Sequence, residues 1–138
     1  MKIYLAAKFA LKGKMQGVRD FLAGHGHEIT AQWIDVEPES DDDSGGATDE
    51  IRLKYAKLDI EDVLRSDVLV AFSNLRGELG TGGGRHVEFG IALHAGKRII
   101  VVGPKGEHIF HYIPGIEFVD SVDALVEQLQ KGKTHEIA

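Results

Sequence analysis

At 138 residues the chain is long enough to bury roughly two-thirds of its unfolded surface in one core, and its lack of cysteine excludes disulfides, thiolate metal sites and cysteine nucleophiles. The net charge of -6 is concentrated in one stretch: Asp35, Glu37, Glu39, Asp41, Asp42, Asp43, Asp49 and Glu50 occur with no Lys or Arg among them, which leaves the remainder at +2. Neither part offers the basic face that a polynucleotide partner requires, and no run approaches the roughly 18 apolar residues that span a bilayer. With only a short apolar stretch broken by Lys8 at the start, the expectation is a soluble, cytoplasmic protein with no membrane partner.

Short apolar runs alternate with segments of helical spacing, the pattern of a parallel α/β sheet. Lys2–Ala7 reads as the first strand, and Met15, Val18, Phe21 and Leu22 mark a helix from about Lys14 to Ala23. Gly24 and Gly26 stop that helix before a second strand over His27–Ile34. The acidic stretch at about 35–47 follows, too polar to pack, as either a disordered insert or a lid. Thr48 with Asp49 and Glu50 opens a helix running to about Ser66, ahead of a buried strand at Asp67–Phe72. The glycine-rich loop Asn74–Gly84 leads to a helix over Arg85–Ala95, ended by Gly96 before the strand Arg98–Val102. A short strand near Ile116–Val119 and a helix from about Val122 to Gln130 complete the set. The expected topology is a five-stranded parallel sheet in order 2-1-3-4-5 with helices on both faces, a single domain spanning 1–138.

Five glycines between Gly77 and Gly84, with Thr81 and then a helix, give a backbone that can approach a ligand closely and turn N–H groups toward an anion. No Gly-Lys-Ser/Thr follows, and the first strand ends in AAKFALKG, so neither the P-loop nor the dinucleotide fingerprint is present. A plain connection is the competing reading. Glu88, placed near the first turn of the following helix, is expected to be kept ionised by the helix N-terminus and so to serve as a nucleophile. The bland alternative is ordinary first-turn helix chemistry. Ile51, Tyr55, Asp59 and Val63 share one i, i+4 row, and Asp59 is the charged member of that apolar stripe. Partly withdrawn from water, such a carboxyl would have a raised pKa and could donate a proton; otherwise it marks the edge of the buried face. Tyr4, Phe9 and Trp33 lie in or after the first two strands, where an aromatic ring can stack on a base or pack in the core. The histidines His25, His27, His86, His94, His108 and His111 show no metal-ligand spacing, and no metal or other cofactor is expected.

The segments KIYLAAKF, DIEDVLRSDVLVAF, VEFGIALHAGKRIIVVG and EHIFHYIP together resemble the nucleoside 2-deoxyribosyltransferase family and its deoxynucleotide N-glycosidase relatives. The similarity covers nearly the whole chain outside the acidic loop. It implies a flavodoxin-like (Rossmann-like) domain in which Glu88 attacks C1′ of a deoxyribose, Asp59 protonates the departing base and Tyr4 positions Glu88 or the sugar. Ala6, Phe9, Trp33, Asn74, Gly80, Thr81, Gly82, Gly83, Gly84, Arg85 and His111 become the candidate substrate-binding residues. About six residues before the Glu, transferases of the family place an Asp and hydrolases a Ser; here Gly82 stands there, matching neither. The extra glycines, with Arg85 or Arg76, could instead hold a 5′-phosphate. The resemblance further implies homo-oligomers that complete their sites across subunits, with Glu107–Pro114 facing a neighbour. The leading expectation is transfer of a deoxyribosyl group between bases, the partners being a small nucleoside or nucleotide and a free base. The alternatives are hydrolysis of a deoxynucleoside 5′-monophosphate and a non-catalytic nucleotide-binding module.

Overall fold

The computed structural model describes residues 1–36, 48–73 and 83–137, with side chains up to 132. Five strands form one parallel sheet: β1 (Lys2–Ala6), β2 (Glu28–Ile29), β3 (Val68–Phe72), β4 (Arg98–Val102) and β5 (Glu117–Val119), in order β2-β1-β3-β4-β5 as expected. Central pairing aligns Tyr4 with Leu69 and Leu69 with Ile99. These strands are continuous apolar runs because parallel strands are covered on both faces. Ile3, Tyr4, Leu5, Leu69, Val70, Ile100 and Val101 are wholly buried.

Four helices connect and cover the sheet: α1 (Lys12–Ala23), α2 (Asp49–Arg65), α3 (Gly84–His94) and α4 (Val122–Ile137). Right-handed crossovers in this strand order put α2 and α3 side by side on one face and α1 and α4 on the other. Met15, Val18 and Leu22 of α1 and Leu125 and Leu129 of α4 supply the helical part of the core. The Thr48 hydroxyl caps α2 by accepting from the Ile51 N–H at 3.2 Å, with Asp49 and Glu50 in the first turn complementing the dipole. Gly96, at φ +74°, adopts the left-handed turn that ends α3. α4 runs to Ile137, seven residues past its expected end.

One expectation is corrected. The second strand, read as His27–Ile34, pairs only at Glu28 and Ile29, and Gln32–Asp35 winds into a 3-10 turn. As an edge strand β2 has a single neighbour, so side-chain bonds can draw the chain away from the ladder. The Thr30 hydroxyl donates to the Asp62 carbonyl at 2.9 Å, the Gln32 N–H to Asp62 Oδ2 at 3.0 Å, and the Trp33 indole N–H to the Leu5 carbonyl at 2.8 Å. The β-branched and aromatic residues of this stretch are buried by the turn rather than by a ladder.

Candidate active site

Glu88 is the fifth residue of α3, so it lies in the second helical turn and not at the N-terminus. From there its side chain points back across the sheet to β1, where the Tyr4 hydroxyl donates to Glu88 Oε2 at 2.6 Å. Both groups are buried, Tyr4 completely and Glu88 to 8% exposure. Burial pushes the Glu88 carboxyl up to about 8; the Tyr4 hydrogen bond opposes the rise, and the negative charges of Asp59 and Asp62 add to it. The expectation of a carboxylate held ionised by the helix start is therefore reversed, because desolvation outweighs the dipole one turn in. The Tyr4 hydroxyl is raised well above its ordinary range by burial and by Glu88.

Asp59 reaches the same place from α2. It lines, with Arg52, Tyr55, Ala56, Ile60, Gly84, Val87, Glu88 and Ile91, a cleft of about 310 Å³ between α2 and α3. Burial, followed by the charge of Asp62, pushes Asp59 up to about 7, as expected for a carboxyl on an otherwise apolar stripe. Its Oδ1 is buried without a hydrogen-bond partner among the described residues, so this carboxyl has unspent bonding capacity. Two carboxyls, one hydrogen-bonded by a phenol and one with an oxygen that has no hydrogen-bond partner among the described residues, thus line one concave site between α2 and α3.

The other candidates separate into groups. Ala6, Arg85 and His111 line a small polar cavity on the opposite side of the start of α3, with Ala71, Ser73, His86, Phe89, Glu107 and His108. Arg85 gives both terminal nitrogens to Glu107, at 2.7 and 2.8 Å, in a pair that is only 10% and 12% exposed. Among the described residues its Nε has no hydrogen-bond partner, as is also true of His108 Nδ1. His111 is buried: Nδ1 accepts the Gly106 N–H at 3.0 Å, its ring lies 4.3 Å from that of His108, and burial lowers it to about 4. Gly83 and Gly84 form the start of α3, with Gly84 on the cleft. Phe9 and Trp33 pack on each other at 6.0 Å, and Trp33 is 6% exposed, with its N–H already committed. Asn74, Arg76, Gly80, Thr81 and Gly82 lie outside the described residues, as does the acidic loop from 37 to 47.

The sequence reading missed Asp62 and Gln32. Asp62 is fully buried, bonded by Gln32 and paired with Arg65 at 3.1 Å. The signal was available: Asp62 follows Asp59 by three residues and adjoins Val63, so it occupies the same buried side of α2.

No protein-family model and no curated protein matches the chain. Solved structures do match. The fold is similar to that of a 2-deoxyribosyltransferase from Bacillus psychrosaccharolyticus, with a TM-score of 0.67 and 21% identity over 91% of this chain and 90% of that one. It is also similar to that of a CMP N-glycosidase from Clostridium botulinum, with a TM-score of 0.59 and 20% identity over 94% and 99% of the two chains.

Proposed function

We propose that the protein is an enzyme of the nucleoside 2-deoxyribosyltransferase type that cleaves the N-glycosidic bond of a deoxynucleoside and passes the sugar to another base. The observation that carries the reading is the convergence of Asp59 and the Tyr4-bound Glu88 on one cleft. Its volume of about 310 Å³ is at the lower end of the roughly 300–1,000 Å³ range of small-molecule sites, which suits a nucleoside rather than a polymer. In the first step a Glu88 oxygen bonds to C1′ as the C1′–N bond breaks, and the proton on Asp59 moves to the leaving base. In the second step an incoming base nitrogen displaces Glu88 from C1′ and returns its proton to Asp59. Splitting one displacement into two through a sugar–carboxylate ester follows the logic of retaining glycosidases. Tyr4 holds Glu88 Oε2, which leaves the other oxygen to attack.

Water as the second nucleophile gives a nucleoside monophosphate N-glycosidase, and the likeness to a CMP N-glycosidase over 94% of the chain favours keeping that second reading. The proposal includes self-association through the Glu107–Pro114 segment, in which Ile109, Phe110 and Tyr112 are at least half exposed. Incubation with a deoxynucleoside plus a second free base, and separately with nucleoside monophosphates in water, followed by chromatography, separates base exchange from base release. Glu88→Gln should lower either activity at least about a thousandfold while calorimetric binding of substrate persists. Unchanged turnover in that variant removes Glu88 as nucleophile, and no turnover with any substrate leaves a binding module.

A further inference from the structure

Asp62 is placed where a carboxylate is hard to keep. It is wholly buried in α2, one turn beyond Asp59, and it lies outside the cleft lining. Two N–H groups bond to it, Gln32 N to Oδ2 at 3.0 Å and Gln32 Nε2 to Oδ1 at 2.9 Å, and Arg65 Nη2 forms an ion pair with Oδ1 at 3.1 Å. Each oxygen thus accepts a hydrogen bond, and the guanidinium faces the carboxylate as its counter-charge. The Asp62 carbonyl is also held, by the Thr30 hydroxyl. A negative charge is therefore pinned at a fixed point, while its cation, Arg65, is 46% exposed and partly screened by water. Residues three apart on a helix are neighbours, with Cβ atoms roughly 5–6 Å apart.

We propose that Asp62 is a positioning residue for the reaction: a fixed buried negative charge that keeps the proton on Asp59 until the departing base takes it. The inference rests on the proposed glycosyl-transfer reading for the use of that proton. Other groups also face Asp59. Glu88 of α3 has the same sign and the Tyr4 hydroxyl of β1 is neutral; Arg52 of α2, on the cleft, opposes them. Among the charged groups of this set Asp62 alone is both wholly buried and outside the cleft lining. The upward shift of Asp59, to which Asp62 contributes after burial, agrees with this placement.

The test is a pH titration of the Asp59 side chain by carbon NMR, using the full chain labelled at aspartate carboxyls, in the native protein, Asp62→Asn and Arg65→Met. In Asp62→Asn the Asp59 midpoint should fall by about one pH unit or more. In Arg65→Met, which removes the compensating cation and leaves the carboxylate, it should rise. A residue with a merely structural role would lower melting temperature without moving either midpoint. An unmoved Asp59 midpoint in Asp62→Asn overturns the proposal; if that variant does not fold, an unmoved midpoint in Arg65→Met does so. Turnover separates the two ideas: above the alkaline limb it should fall about tenfold for each pH unit by which the Asp59 midpoint falls. Shifted midpoints in a native protein that turns over no nucleoside would sustain the charge relation and defeat the glycosyl-transfer reading.

Discussion

Glu88 and Asp59 have to hold opposite protonation states for the proposed chemistry, and their environments set them in the less obvious order. Glu88, which must be ionised to attack, is raised to about 8, and Asp59, which must carry a proton, to about 7. The competent form is then the minor one among singly protonated species, and kcat/KM should follow a bell with limbs near 7 and 8 and a maximum between them. A flat profile across pH 6–9 would contradict the assignment. The same burial makes stability depend on pH. An unfolded Glu88 ionises near 4.5, so between about 4.5 and 8 the folded chain retains a proton that the unfolded chain has released. Folding stability is thus lost as pH rises through that window, on the order of 4 kcal/mol by pH 8. Glu88→Gln cannot ionise and can still accept from Tyr4. Its melting temperature should exceed that of the native protein at pH 8 and approach it at pH 4; parallel curves would show that Glu88 is not desolvated.

Elements with strong apolar character were legible in the sequence. β3 is an unbroken apolar run, β1 and β4 are apolar after Lys2 and Arg98 at their starts, and α3 begins after glycine and is followed by Gly96, so local pattern and final structure agree. β2 was not legible in length, because its end is decided by Asp62, Leu5 and Ile3, all distant in sequence. Asp59 and Glu88 could be named from spacing and resemblance, but the protonation of Glu88 could not, since it depends on packing against β1. A comparable long-range contact governs the last helix. The Arg98 guanidinium, at the start of β4, bonds both Glu117 oxygens at 2.7 Å and the carbonyls of Gln128 and Leu129, and lies directly against Gly132. A methyl group on Gly132 would overlap it. Gly132→Ala, normally favourable in a helix, should instead destabilise by about 1–3 kcal/mol, measurable by urea unfolding. A stabilised variant would mean that α4 is not clamped by Arg98.

At the scale of the molecule, α3 borders an apolar surface. Ile109, Phe110 and Tyr112 project beside a groove of about 530 Å³ lined by His86, Phe89, Gly90, Leu93, His94, His108 and Phe110. Grouped apolar exposure of this kind favours association. Sedimentation should give a mass that is a multiple of the 15.1 kDa chain, reduced to that value by Ile109→Asp with Phe110→Asp; a native protein sedimenting at 15.1 kDa would exclude self-association. The helix carrying the proposed acid is anchored differently from the rest. Over its 17 residues α2 buries only Asp62 and Val63, leaving Leu53, Ile60 and Leu64 exposed. Amide hydrogens of α2 should therefore exchange with solvent deuterium well before those of β1, β3 and β4, through local opening rather than global unfolding. A ligand bridging Asp59 and Glu88 would slow that exchange, so α2 protection offers a gauge of occupancy that needs no turnover. The wall of the cleft that carries Asp59 would then report on a bound ligand through its own opening.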